Sequence, residues 1–242
     1  MNNDVVQIEW LEIGIALLPM VLVMIILFRW SARGWTAIYS TARMLIQLIV
    51  IGYFLVFIFD ATDAWVICLV LLVMLLVASW IALSPVSESR RQLYTRVLVA
   101  LTIGGGLTLF TITWGVLHLS PWYEPRYMVP LAGMIFANSM NTVSLSAERF
   151  AAEVSHGEPI DAAKHIALQS GMIPVINSMF AVGLVALPGM MTGQILSGVS
   201  PLIASRYQIV VMAMLFAASG LSAAIYLQLV SQLVRTEKAN GL

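Results

Sequence analysis

Charge is what this sequence has least of. Only 10% of its 242 residues are Asp, Glu, Lys or Arg, while 60% are hydrophobic and the mean hydropathy is +0.94. A soluble domain carries roughly a quarter charged residues. The formal net charge is zero, so there is no electrostatic case for nucleic acid as a partner. Cysteine is almost absent. The single Cys68 lies in an apolar run, which excludes an internal disulfide and leaves the redox compartment unread. No GxxxxGK[ST] loop occurs, which excludes ATP binding of that type in this chain. His118, His156 and His165 are scattered, without metal-ligand spacing to Cys or carboxylates.

What is present is long apolar blocks of about 20 residues, the length that crosses a hydrocarbon core of about 30 Å as a helix. The short alternating segments of an outer-membrane barrel are not seen. The chain reads as an all-α polytopic membrane protein. Seven spans are predicted, at about residues 8–28, 37–59, 64–83, 97–118, 128–147, 172–198 and 208–230. The opening MNNDVVQIEWLEIG carries acids and no basic n-region, so the first block is expected to be retained.

Lys and Arg set the orientation. With the N-terminus outside, Arg29, Arg33, Arg90, Arg91, Arg96, Arg149, Lys164, Arg235 and Lys238 fall in the cytoplasm, and only Arg126 and Arg206 fall outside. That bias predicts a cytoplasmic C-terminus. The acids Asp4, Glu9, Glu12, Asp60, Asp63 and Glu124 fall on the outer side. Outer loops are short. The largest loop, about residues 148–171, is cytoplasmic. Within it IDAAKHIAL reads as a short amphipathic helix, with Ile160, Ala163, Ile166 and Ala167 on the face that would meet lipid or a partner.

Polar side chains inside spans are few, and such groups face other helices or a cavity. Arg43 and Gln47 share a face of the second span. Asn138, Asn141 and Thr142 are spaced to share a face of the fifth, and Asn177 lies in the sixth. The amides serve either as interhelical glue or as substrate contacts. The Gly104-Gly105-Gly106 run marks close helix packing or a bend. Met134, Met140, Met179, Met190, Met191, Met212 and Met214 lie near these faces. Thioethers either fill irregular gaps or bind soft ions. In the sixth span ALPGMMTG, residues 186–193, breaks the helix: Pro188 removes a backbone donor and displaces the carbonyl of Leu184. Irregular backbone at membrane depth persists only where it is buried in protein or lines a wet cavity. AASG at 217–220 faintly matches an intramembrane-protease serine motif, but no histidine follows in a later span. No catalytic residue is expected.

Three segments carry a resemblance: ARMLIQLIVIGYFL (42–55), VPLAGMIFANSMNTVSLS (129–146) and INSMFAVGLVALPGMMTGQILSGVSPLIASRYQIVV (176–211). They resemble the Fet-type ABC transporter permease family, whose bacterial members are linked to iron export and whose plant relatives are linked to aluminium tolerance. The resemblance covers about residues 37–230. It implies a single permease domain over 1–242 in the inner (plasma) membrane, homodimeric, without a cofactor of its own. It also implies a separate cytoplasmic ATPase subunit that uses ATP and Mg. The 148–171 loop would hold the ATPase-coupling helix, with Glu153, Gly157, Asp161, Ala162 and Lys164 as its residues. The chain departs from the family in lacking a longer charged extension between Arg149 and Gly157. Leu187, Pro188 and Gly189 would form a hinge or gate. Gln47, Asn138, Asn141, Asn177, Met190 and Met191 would line the substrate pathway. No residues are assigned to a metal. The alternative is an ATP-independent secondary transporter or channel for a metal or small solute. An ion-coupled transporter generally needs a carboxylate within its spans, and none is found here.

Overall fold

A computed structural model describes residues 9–30, 34–60, 63–86 and 90–239. Arg33 and the Asp4 and Lys238 side chains used in the orientation argument lie outside this description. The described residues are helical throughout, apart from turns and one isolated bridge. The chain divides into two compact units, Met1–Ala61 and Thr62–Leu242.

The first unit is a pair of helices, α1 (Trp10–Trp30) and α2 (Gly34–Phe59), which touch each other. Both are apolar around their circumference, and α1 buries no residue. A helix hydrophobic on every side satisfies its backbone internally and leaves its side chains for lipid or protein. Thr41 donates to the carbonyl of Ala37 and faces the Met20 sulfur across the pair.

The second unit holds α3 (Ala64–Ala82), α4 (Arg90–Phe110), α5 (Pro125–Ser155), α6 (Ile160–Ala181), α7 (Gly189–Leu196) and α8 (Pro201–Ala239). A π-helical turn, Thr111–Val116, extends α4. α5 is the centre: it packs on α3, α4, α6 and α8. α8 closes the other side against α4, α6 and α7. Two helix junctions have the same construction. α5 ends at His156 and α7 at Ser197, each followed by a glycine of positive φ: Gly157 at 89° and Gly198 at 91°. In both, the amide after the glycine bonds back five residues, Glu158 N to Glu153 O and Val199 N to Gln194 O. This is the Schellman arrangement, and a proline then opens or precedes the next helix.

Among the described residues, five helices are long and apolar enough to cross a membrane: α1, α2, α3, α4 with its π turn, and α8. α5 contains the predicted fifth span, whereas α6 overlaps only residues 172–181 of the predicted sixth, and both are more polar than these five. Two further expectations are corrected. The 148–171 loop is nearly all helix: α5 runs to Ser155, α6 starts at Ile160, and only 156–159 connect them. The amphipathic IDAAKHIAL is the first part of α6, and its small face is packed inward, with Ala163 and Ala167 buried. Second, 172–198 is not one kinked helix. α6 stops at Ala181, residues 182–188 are non-helical, and α7 has only eight residues. At 1.5 Å per residue α7 is about 12 Å long, less than half a hydrocarbon core.

Helices α4, α5, α6 and α8 approach closely because the contact residues are small. A Cβ on Gly104 would lie 2.6 Å from the Ser222 backbone nitrogen, so α4 meets α8 backbone to backbone. A Cβ on Gly171 would strike Ser146 Oγ and lie 2.9 Å from the Thr142 carbonyl, so α6 meets α5 in the same manner. Gly105 faces Ile135 and Phe136, whereas Gly106 faces open space. Of the two readings of the glycine run, close packing is the one realised. Gly104→Val should therefore destabilise the protein by about 1–3 kcal/mol through overpacking. Gly106→Ala should stabilise it by about 1 kcal/mol through helix propensity. Thermal unfolding in detergent, followed by circular dichroism, measures both.

Candidate functional site

The site grows out of the broken segment. After Ala181 the chain makes a tight turn in which the Ala181 carbonyl accepts from the amides of Leu184, Val185 and Ala186, at 3.2, 2.8 and 3.1 Å. Gly183, at φ +82°, donates in return to Ala186 O at 2.9 Å. The turn pairs its own amide donors, which is what irregular chain needs away from water. Its tip is apolar and turned outward: Leu184 is 90% exposed and Leu187 63%. Pro188 is not inside a helix. It caps the start of α7 at φ −60°, ψ 144°, where a missing N–H costs nothing, and its carbonyl accepts from Thr192 N at 3.0 Å and Thr192 Oγ1 at 3.2 Å. The Leu184 carbonyl is therefore not displaced from a helical ladder.

Behind this turn lies a cavity of about 370 Å³, enclosed by α5, α6, α7 and α8. Its polar lining is Asn138, Ser178 and Gln208, and Met134, Met190 and Met212 contribute sulfur. Asn138 Nδ2 donates to Met134 O within α5 at 2.9 Å, leaving its side-chain carbonyl free to accept. Gln208 is only 6% exposed, and its amide makes no hydrogen bond among the described residues. A second, more open hollow of about 410 Å³ shares Val182, Gln208 and Met212 with the first and adds Met179 and Met191. No charged residue lines either one. Among the described residues, no three His, Cys, Asp or Glu side chains converge as a metal site. The arrangement offers uncharged oxygen donors and acceptors together with soft sulfur, and no group able to act as an acid, base or nucleophile near neutral pH.

The predicted pathway residues separate. Asn138 and Met190 line the main cavity and Met191 the second, with Pro188 and Gly189 on the wall of the main one. Leu187 faces away. Asn141 and Asn177 are exposed and line neither cavity. Positions 138, 141 and 142 span an arc of about 100° on an α-helix. On α5 the edge between buried and exposed cuts through that arc: Thr142 is buried against Gly171 and Asn141 lies outside. Gln47 is exposed on α2, in the first unit. Gln208 and Ser178 were missed as site residues. An amide in the apolar run around Tyr207 was the available signal for Gln208. For Ser178 there was none, because a serine mid-helix most often bonds its own backbone, as Ser178 does to Pro174 O at 2.9 Å.

The predicted coupling residues form a cluster of internal contacts. Glu153 is buried and paired with Arg149 at 2.5 Å. Gly157 provides the positive φ of the α5–α6 junction. Asp161 meets Arg235 of α8 at 2.6 Å and Lys164 at 3.4 Å, and Lys164 also donates to Gln228 at 3.4 Å. Ala162 is half-buried beside them. Arg235 and Gln228 were not anticipated, since pairs 64 and 74 residues apart leave no local spacing to read. The start of α6 is thus tied to the end of α8. At the far end of α8, about 42 Å away at 1.5 Å per residue, Tyr207 and Arg126 border a small void. An open, aromatic-walled hollow at the end of α4, with Trp114 and Trp122, holds no predicted residue and has the composition of a membrane-interface belt.

These features define a multi-pass, all-helical membrane protein. The chain belongs to the family described as Uncharacterised protein family (UPF0014), which matches residues 10–234. A UPF0014 membrane protein of Synechocystis is 32% identical over 239 residues, covering 92% of each chain. The probable iron export permease protein FetB of Escherichia coli is 33% identical over 203 residues, covering 78% of this chain and 77% of FetB. Protein ALUMINUM SENSITIVE 3 of Arabidopsis thaliana is 34% identical over 201 residues, covering 76% of this chain and 72% of that one. No solved structure matches.

The exposed ion pairs around Asp161 predict a small stability effect. Asp161→Asn should cost less than about 1 kcal/mol, the range of exposed pairs. Gly157→Ala should cost about 1–2 kcal/mol, because the left-handed conformation is strained for a residue with a Cβ. Paired unfolding curves of the two variants in detergent would show the order reversed if the junction did not need its glycine.

Proposed function

We propose that this chain is the permease subunit of an ABC transporter, moving iron or another metal outward with energy from a separate ATPase. The observation that carries the reading is the cavity of about 370 Å³ walled by an interrupted helix in a membrane protein. Discontinuous helices beside polar cavities are where transporters bind and gate. The relationship to a protein named as a probable iron export permease supports the substrate class. The sequence has no Walker loop, so ATP and Mg belong to a partner.

In this reading seven helices cross the inner (plasma) membrane: α1 to α6 and α8. The N-terminus is outside, the C-terminus cytoplasmic, and α7 does not cross. The whole chain acts as one permease domain and works as a homodimer. The exposed turn 156–159, with Asp161 and the start of α6, is the surface that meets the ATPase. Because Asp161 ties α6 to Arg235, a push on this turn is delivered to α8 and so to the cavity wall at Gln208 and Met212. Substrate passes Asn138, Gln208 and Met190, and Pro188-Gly189 is the hinge on which α7 turns. Allosteric transmission of this kind needs a bistable element, and the short α7 on its two turns is the one available.

Purification of the intact chain from its own host, with gentle solubilisation, tests this. A stoichiometric Walker-loop protein should copurify, and should be lost when residues 157–165 are replaced by a Gly/Ser linker. ATP-driven iron accumulation in inside-out vesicles should follow. A chain that emerges alone, under conditions that keep other ABC complexes intact, would favour the ATP-independent transporter or channel. Pro188→Ala should lower transport severalfold while the unfolding temperature stays near wild type. Normal transport by that variant would remove the hinge.

A further inference from the structure

Eight of the 14 methionines form two structural groups. Met128, Met172 and Met214 are buried among side chains, and Met214 is 1% exposed. These fill space, as flexible thioethers commonly do. Met134, Met179, Met190, Met191 and Met212 do something else. They line the two adjoining hollows, so their side chains border open volume instead of being enclosed by neighbours. They come from four different elements, α5, α6, α7 and α8, and converge only in the folded unit. The remaining polar wall is neutral: Asn138, Ser178 and Gln208.

This donor set discriminates between cations. A hard ion such as Fe(III) or Mg(II) calls for carboxylate or phosphate oxygen, and none lines the cavity. Thioethers prefer soft, weakly hydrated ions, of which Cu(I) is the biological example. A monovalent soft ion also suffers less from an uncharged, low-dielectric wall than a multivalent one, because the cost of burying charge rises steeply with its magnitude. Met190 and Met212 are the central pair. Met190 stands on the short α7 beside Pro188, and Met212 is shared by both hollows. Gln208, buried without a partner, supplies a neutral oxygen at the junction between them.

We propose that the paired hollows form a binding site for a soft monovalent cation, Cu(I) or its redox-inert analogue Ag(I), held by methionine sulfur with Met190 and Met212 as the principal ligands. It rests on the reading of this cavity as the substrate's route, and it adds a thiophilic monovalent ion to the metals that this route would take.

The probe is Ag(I), in chloride-free buffer, added to the detergent-purified full chain carrying Cys68→Ser so that the lone thiol does not contribute. Equilibrium dialysis with metal analysis should show stoichiometric Ag(I) retention, undiminished by excess Fe(II). Met190→Leu/Met212→Leu should weaken retention by about ten- to a hundredfold, the scale of losing a metal-site partner. Met128→Leu/Met214→Leu, at the packing positions, should leave it unchanged. Should the first double variant fail to fold, Met190→Leu alone, on the exposed-ended α7, carries the comparison. Absence of Ag(I) retention by the parent chain overturns the proposal, as does equal retention by the variants of both groups. Copurification of an ATPase without Ag(I) binding sinks the thioether site and leaves the permease standing. Methionine-dependent Ag(I) binding by a chain that recruits no ATPase does the reverse.

Discussion

The close approach of four helices at glycine and serine is the constraint on which the second unit depends. Lipid provides no hydrophobic drive for helices to associate, so contact must come from packing. Gly104 against Ser222 and Gly171 against Ser146 bring backbones together where a single methyl group would not fit. Ser139, Ser146, Ser219 and Ser222 are buried in the same contacts, with hydroxyls that find no partner. An unpaired hydroxyl costs about 1–3 kcal/mol. Its retention here goes with size: serine is little larger than alanine, and a larger residue at Ser222 or Ser146 would force α8 from α4 or α5 from α6.

The tightness of one part allows the looseness of another. α4, α5, α6 and α8 are held together at these contacts, and the cavity lies where α6 stops at Ala181. The interruption at 182–188 then leaves a gap that no side chain fills. A continuous helix through 172–198 would have occupied this space. The turn exists because Ala181 O accepts three amides and Gly183 takes a positive φ, so every amide from Val182 to Ala186 is paired. The cavity is thus the complement of a backbone that has solved its own hydrogen bonding elsewhere. Its neutral lining follows from the same economy, since charge without a counter-charge would be costly there.

Much of the architecture was legible in the chain. The apolar blocks mark α1 to α4 and α8, because hydropathy over 20 residues is a property of composition and needs no neighbour. The polar α5 was placed as a helix, while α6 was divided between a short helix in a loop and the start of a longer span, and both are less clearly membrane segments by the same measure. The cluster at the α5–α6 junction was found through Glu153, Gly157, Asp161 and Lys164, though its partners Arg235 and Gln228 were not. At the cavity, Asn138, Met190 and Met191 were legible as polar or soft groups in apolar surroundings. Asn141, Asn177 and Gln47 carried the same signal and lie on exposed surface. Helical spacing says which residues share a side, but not where along that side the neighbours end.

The sequence by itself determined that this is a membrane protein, that its helices are long, that it carries no nucleotide loop, and that something interrupts the chain near Pro188. Each of these is local: transfer free energy, propensity and the missing proline donor act within a few residues. Tertiary structure alone decided that the interruption is a closed turn followed by a separate short helix, that Gln208 and Met212 lie beside it, and that five methionines line two adjoining hollows. Those outcomes depend on which helices approach, at what distance and with which side turned inward. Such distances are set by glycines and serines scattered over more than a hundred residues, and no local pattern records them.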